Sequence, residues 1–247
     1  MDTLSNYGEF VLKLEQHLEF IYPRDNHSEL VYKILDAIQI ENACCELEPY
    51  SNHWDQQDIM LISYGDSIKS ESRKPLESLH EFLTEHLHET ISWLHILPFF
   101  PYSSDDGFAV IDYLQVNDGL GDWEDISRLA SEYKIMADLV VNHISSTSQW
   151  FDNFKNAKSP GKDYFIEVAE DFDTSQVVRP RTSALIKEVQ TLNGKKNVWC
   201  TFSHDQIDLD FRNPQVLLEI IKIIAQYLEK GIRFFRLDAV AFLWKKS

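Results

Sequence analysis

Four short apolar runs, separated by stretches with helical periodicity, most constrain what this chain can fold into. Residues 58–64 (DIMLISY) read as a strand ending at Gly65-Asp66, and 76–87 carry Leu76, Leu79, Leu83 and Leu87 on a helical stripe. Residues 91–97 form a second strand stopped by Pro98, and 123–133 form a helix for which Asp122 is a suitable N-cap. Residues 135–141 give a third strand. A strongly amphipathic helix follows at 214–230, with Asn213 placed to cap it, Pro214 in its first turn and Gly231 just past its end. The stretch 231–242, GIRFFRLDAVAF, is the fourth strand. Such alternation predicts an α/β fold, a parallel sheet with helices packed on it.

Two parts of the chain stand outside this pattern. Residues 1–52 read as a helical extension, with Leu4, Phe10, Leu14 and Leu18 in one segment and Leu30, Ile34, Leu35 and Ile38 in the next; Pro23 and Asp25-Asn26 separate them, and Pro49 and Ser51-Asn52 close the region. Between the third strand and the last helix lie about seventy residues, too many for a short crossover and suited to an insertion at 144–207. It holds Trp150, Phe151, Tyr164, Phe165, Trp199, Phe202 and the Arg179-Pro180-Arg181 triplet.

The fourth strand carries charge where a buried strand should not. Side chains two apart point the same way, so Ile232, Phe234, Arg236 and Asp238 share a face, the charged pair at the C-terminal end. Burying a lone charge is costly, and a nearby guanidinium keeps a carboxylate ionised. Asp238 is therefore a candidate nucleophile or electrostatic stabiliser as well as a candidate structural ion pair. The third strand has the same character: Asp138 and Asn142 share a face, and His143 follows. Ligands of parallel sheets and barrels bind at the carboxyl ends of the strands. After the second strand comes an aromatic-rich loop with adjacent carboxylates, Asp105-Asp106, suited to covering a sugar ring and accepting from its hydroxyls. Phe99 and Phe100 in that loop are expected to pack on the core.

The balance of 23 Lys and Arg against 40 Asp and Glu, a net charge of -17, argues against nucleic acid and anionic membranes as partners. Three cysteines, Cys44, Cys45 and Cys200, suit a reducing compartment better than a disulfide framework. No basic segment precedes an apolar run at the N-terminus, and no run reaches bilayer-spanning length, so a soluble cytoplasmic protein is expected. His86 and His88 do not face each other on a helix, so no metal site is expected there. Lys195-Lys196 and Lys245-Lys246 read as solvated surface.

DLVVNH at 138–143, followed about a hundred residues later by RLDAVAF at 236–242, resembles the first and second signature regions of the α-amylase superfamily of glycoside hydrolases. The segments ILPFFPYSSDDGFAVIDY, LGDWEDI, RPRTS and FSHDQIDLDFRNP resemble its sucrose phosphorylase branch, with relatives acting on glucosylglycerate, glucosylglycerol or sucrose phosphate. The resemblance runs from about residue 58 to the last. It implies a (β/α)8 TIM-type barrel represented by its first four strands, residues 53–247, with the insertion after strand three. It implies Asp238 as nucleophile, Arg236 as the residue holding it, and Asp106 and His143 on the glucosyl hydroxyls. Phe108 would lie against the sugar ring, Asp138 and Asn142 would shape the site, and Arg181, assisted by Arg179, would meet phosphate or the acceptor. In calcium-dependent amylases the position of Asn142 can serve a metal; this branch is expected to need none, with inorganic phosphate as co-substrate and no cofactor. The implied reaction is reversible phosphorolysis of an α-glucoside to glucose 1-phosphate by retaining double displacement.

The family's general acid and third carboxylate belong to later strands, so this chain alone is expected to be catalytically incomplete. A shortened gene, a half awaiting a complementing C-terminal half, and a fragment recruited for another task would each account for the length. The alternatives are an α-glucosidase or transglucosidase of the same superfamily, and a non-catalytic sugar-binding or scaffold fragment that self-associates through its open edges.

Overall fold

A computed structural model describes residues 3–39, 55–56 and 58–245. The expectations resting on Cys44, Cys45, Pro49, Ser51-Asn52 and Lys246 lie outside the described residues. The chain opens with two helices, α1 (Thr3–Ile21) and α2 (His27–Ala37). The alternating pattern then gives β1 (Met60–Ser63), α3 (Pro75–His86), β2 (Trp93–Ile96), α4 (Trp123–Glu132) and β3 (Lys134–Val140). After an intervening region come α6 (Pro214–Glu229) and β9 (Phe234–Asp238). The four strands form one sheet in the order β1-β2-β3-β9, every pair parallel.

Helix ends fall where capping chemistry puts them. The Asp122 side chain accepts from the backbone N–H of Glu124 and Asp125, and Asp125 reaches back to the Asp122 N–H, a complete capping box. Asn213 accepts from the Gln215 N–H at the start of α6. Gly231, at φ 93, ends that helix; a Cβ there would lie 2.7 Å from Ala130 Cβ, so the turn needs glycine for space as well as conformation.

Strand alternation divides the sheet into two faces. Leu94, Ile96, Ile135, Ala137 and Leu139 are buried and form one apolar cluster with Leu76, Leu79 and Leu83 of α3, Ile126 and Leu129 of α4, and Val216, Ile220 and Tyr227 of α6. Phe99 and Phe100 are buried in the same cluster, as expected. The other face carries Met60 and Ile62, both exposed, Trp93 against Phe234 with ring centres 3.8 Å apart and the rings tilted by 42°, and the polar groups described below. α1 and α2 dock on the outer side of α6 through Leu18, Tyr22, Leu30 and Ile34 against Leu218, and the Tyr22 hydroxyl donates to the Phe211 carbonyl at 2.9 Å.

Residues between β3 and α6 contain β4 (His143–Ser145), α5 (Gln149–Lys155), β5 (Glu167–Val168), β6 (Ile186–Thr191), β7 (Gly194–Trp199) and β8 (Gln206–Asp208). β4 and β8 pair antiparallel, and β5-β7-β6 make a small antiparallel sheet over Ile166, Leu185 and Trp199. The expected fourth strand at 231–242 is shorter than its apolar pattern suggests. Ordered pairing stops at Asp238, Ala239 turns left-handed at φ 54, and Val240–Phe242 is a single tight helical turn. β9 is also not buried, since it has one neighbour among the described residues; Arg236 and Leu237 are exposed.

Candidate active site

Two polar clusters form where β3 and β9 end. In the first, β3 and β9 are in register with Asp138 opposite Arg236 and Val140 opposite Asp238. Arg236 Nη2 lies 3.3 Å from Asp238 Oδ1, while its Nη1 donates a short hydrogen bond to Asp138 Oδ1. The other Asp138 oxygen is 2.8 Å from His95 Nε2 on β2. His95 and Asp138 are buried while Arg236 is exposed, so the chain His95–Asp138–Arg236–Asp238, crossing three strands, runs from the interior out to solvent. The Arg236 guanidinium also sits over the Phe108 ring, 5.5 Å from its centre.

The electrostatics differ from the expectation that Arg236 sets the charge of Asp238. Burial is the largest influence and holds the Asp238 carboxyl above the usual carboxylate value, although Arg236 and His143 pull it down. Part of the guanidinium's field is already committed to Asp138. Burial is also the largest influence on Arg236 and works against its charge, but the bond to Asp138 and the charges of Asp138 and Asp238 together outweigh it and hold the guanidinium above its ordinary value.

The second cluster surrounds Asn142 and His143. Strand β3 ends at Val140, so Asn142 does not continue the face of Asp138; it joins a different network. Asn142 Nδ2 donates to Asp208 Oδ2 at 3.1 Å and lies 3.2 Å from His143 Nδ1. Asp208 also accepts from the Thr201 N–H at 2.8 Å and the Thr201 hydroxyl at 2.5 Å. Lys245 completes the group: its Nζ is 2.8 Å from Asp208 Oδ2 and 3.1 Å from Asn142 Oδ1. This corrects the reading of Lys245 as solvated surface, because its side chain is only 12% exposed and neutralises a carboxylate that is fully buried. The position that can serve a metal in calcium-dependent amylases is met here by an ammonium. On the far side of the ring, His143 Nε2 faces the Phe108 carbonyl at 3.1 Å and Gln206 Nε2 at 3.2 Å. Burial pushes the His143 imidazole below its ordinary value, so the ring is neutral at physiological pH.

The loop after β2 places its two carboxylates differently from the assignment to Asp106. It is Asp105 whose Oδ2 accepts from Gln206 Nε2, at 2.9 Å, and whose charge acts on both His143 and Asp238. Asp106 instead lines a hollow with Tyr64, Asp66, Tyr102 and Asn117. The backbone explains the split: Asp105, Asp106 and Gly107 have φ of 57, 50 and 106, three left-handed residues in succession. The Asp205 carboxylate pins this loop, accepting from the hydroxyls of Ser103, Ser104 and Ser146.

The two arginines of the insertion line one open groove with Thr174, Thr182 and Ser183; Arg181 is exposed there, and Arg179 also donates to the Thr201 carbonyl at 3.2 Å, close to the Asp208 network. His95, Gln206, Asp208 and Lys245 join these clusters without having been expected there, and Asp105 was expected only as one of two adjacent carboxylates. Gln206 and Asp208 left a trace, two polar residues at strand spacing around Ile207. Asp105 was visible as half of a pair. His95 and Lys245 had no local signal, because their partners are far away in sequence.

Four parallel strands, helices packed on one face and polar clusters at the carboxyl strand ends fit part of the (β/α)8-barrel class of catalytic domain. Within that class the chain belongs to the α-amylase family, whose catalytic-domain model matches residues 86–247. It is similar to a glucosylglycerate phosphorylase of Spirochaeta thermophila, 43% identical over 244 residues, covering 96% of this chain and 41% of that protein. A glucosylglycerate phosphorylase of Allomeiothermus silvanus is 46% identical over 231 residues, and a sucrose phosphorylase of Streptococcus mutans 34% over 200. The crystal structure of sucrose 6F-phosphate phosphorylase from Thermoanaerobacter thermosaccharolyticum matches with a TM-score of 0.71 at 29% identity, covering 79% of this chain and 42% of that one. The chain thus spans about two-fifths of the length of the curated relatives it matches.

Proposed function

We propose that this chain forms the nucleophile-bearing part of a glycoside phosphorylase acting on an α-glucoside of the glucosylglycerate or sucrose type. Likeness to a glucosylglycerate phosphorylase over 96% of the chain carries this reading. Asp238 attacks the anomeric carbon as the glycosidic oxygen leaves with a proton, giving a glucosyl ester; a phosphate oxygen then displaces Asp238 and yields glucose 1-phosphate. Arg236 offsets part of the pull of burial on the attacking carboxylate. His143, Gln206 and Asp105 gather two donors and an acceptor for sugar hydroxyls, with Asp105 taking the role first assigned to Asp106. Arg181, exposed and able to grip phosphate with two parallel hydrogen bonds, draws that anion to an otherwise acidic protein.

Retaining transfer needs a second carboxyl group about 5–5.5 Å from the nucleophile and free to exchange a proton. Asp138 is held between His95 and Arg236, and Asp208 is held by Lys245, so neither serves as that acid. The 247-residue chain is therefore proposed to lack turnover by itself and to depend on further barrel strands, in the same polypeptide or another. Its proposed parts are the helical extension 1–52 and the half-barrel 53–247 with the insertion 144–207, working in the cytoplasm. Among the described residues no helix is long and apolar enough to cross a membrane.

The test fuses this chain to the remaining strands of a glucosylglycerate phosphorylase. The hybrid should release glucose 1-phosphate from glucosylglycerate only when phosphate is present, and Asp238→Asn should abolish it. Equal release of free glucose without phosphate would make the chain part of a hydrolase.

A further inference from the structure

The hydrogen bonds around Asn142 determine which nitrogen of His143 carries its proton. An ammonium can only donate and an ionised carboxylate can only accept. Lys245 Nζ lies 3.1 Å from one end of the Asn142 amide and Asp208 Oδ2 lies 3.1 Å from the other, so the oxygen must face Lys245 and the NH2 must face Asp208. That NH2 is also 3.2 Å from His143 Nδ1. Since the amide nitrogen donates, Nδ1 is the bare, accepting nitrogen, and a neutral ring then carries its hydrogen on Nε2. The Phe108 carbonyl, 3.1 Å from Nε2, is the matching acceptor.

An opposing influence makes this a real choice. Gln206 Nε2 is oriented by Asp105 Oδ2 at 2.9 Å and also lies 3.2 Å from His143 Nε2. If Nε2 were bare, Gln206 would donate to it and the proton would move to Nδ1. The ring therefore has an amide donor beside each nitrogen, and the lock on Asn142 decides between them.

We propose that Lys245 and Asn142 are positioning residues that hold His143 in its Nε2–H tautomer. His143 then keeps its Nε2–H on the Phe108 carbonyl, where an arriving hydroxyl oxygen that also meets the Gln206 NH2 would share it and give its own proton to the Asp105 carboxylate. The use of that donor for a glucosyl hydroxyl rests on the phosphorylase reading; the tautomer does not, so the two can fail separately.

Nitrogen-15 NMR of the imidazole in the 247-residue chain, at a pH where the ring is neutral, reads the tautomer directly. Wild-type protein should show His143 Nε2 in the range of a protonated nitrogen and Nδ1 in that of a bare one, with a coupling across the Asn142 Nδ2–H···Nδ1 bond. A wild-type ring protonated on Nδ1 overturns the proposal. Lys245→Met removes one of the two partners that orient the Asn142 amide, leaving Asp208 as the other, and should weaken the coupling and bring up part of the Nδ1–H form. Lys245→Gln, which keeps a donor without the charge, should retain the wild-type pattern. Asn142→Asp, which offers only an acceptor to Nδ1, should swap the two nitrogen shifts. Ring nitrogens unchanged in folded Lys245→Met or Asn142→Asp would remove the lock; if neither variant folds, the wild-type spectrum decides.

Discussion

Asp238 is charged at neutral pH against the pull of its burial. Its carboxyl titrates above the ordinary value in the folded protein because burial outweighs Arg236. For an acid raised on folding, the benefit exists below the unfolded value and is lost as pH rises through the folded one, so at neutral pH the ionised group costs stability. Asp238→Asn should therefore stabilise the chain at pH 7, by about 0.5–2 kcal/mol, with a smaller gain near pH 4, measured as urea midpoints at the two pH values. A lower midpoint for the variant at pH 7 would mean that the pair with Arg236 dominates instead. At this scale the sequence disclosed the neighbour two residues away but not the stronger one. Arg236 gives its shortest bond to Asp138, a partner that exists only once β3 and β9 are in register. Asp105 and Asp106 were indistinguishable until backbone conformation turned one toward Gln206.

Elements were more legible, because their ends carry their own chemistry. The capping box at Asp122 and the Asn213-Pro214 start with Gly231 beyond place α4 and α6 within a residue of expectation. β9 was over-read, since an apolar run shows what would be buried with a neighbour on each side and not how far pairing extends. The amino ends of the strands hold a staple that periodicity could not reveal. Asp58 accepts from Ser92 Oγ, Trp93 Nε1 and Lys134 Nζ at 2.7–2.8 Å, tying the approaches to β1, β2 and β3. These bonds, that from Lys134 first, hold its carboxyl well below the usual carboxylate range. A depressed carboxylate stabilises fully above its unfolded value, about pH 4, and loses that contribution as pH falls toward the folded one. Asp58→Asn should lower the thermal midpoint at pH 7 and flatten its decline below about pH 4. Parallel acid profiles for the two proteins would contradict the staple.

At the scale of the whole molecule, the described residues leave apolar side chains exposed at both edges of the sheet. Ile59, Met60 and Ile62 at β1 and Leu237, Val240 and Trp244 around the end of β9 are each more than a third exposed. β1 and β9 are edge strands among the described residues, with unpaired backbone groups that favour another strand. We expect the isolated chain to self-associate with rising concentration in sedimentation velocity, and Leu237→Glu to shift it toward monomer; a monomer at every concentration would show that the edges are protected. A half-barrel was readable from the strand count and motif order, whereas the docking of α1 and α2 on α6 was not, since two apolar stripes do not say which surface they meet.

The left-handed run through Asp105, Asp106 and Gly107 bears on how a sugar would be met. A Cβ at Gly107 would stand 2.9 Å from Pro98, so the segment cannot relax by trading residues there, and Asp205 tethers its approach. The conformational penalty of this turn is incurred during folding, before any guest arrives. Recognition at Asp105 then resembles a key entering a cut lock: the carboxylate is already stationed, and little freedom remains to be surrendered on contact.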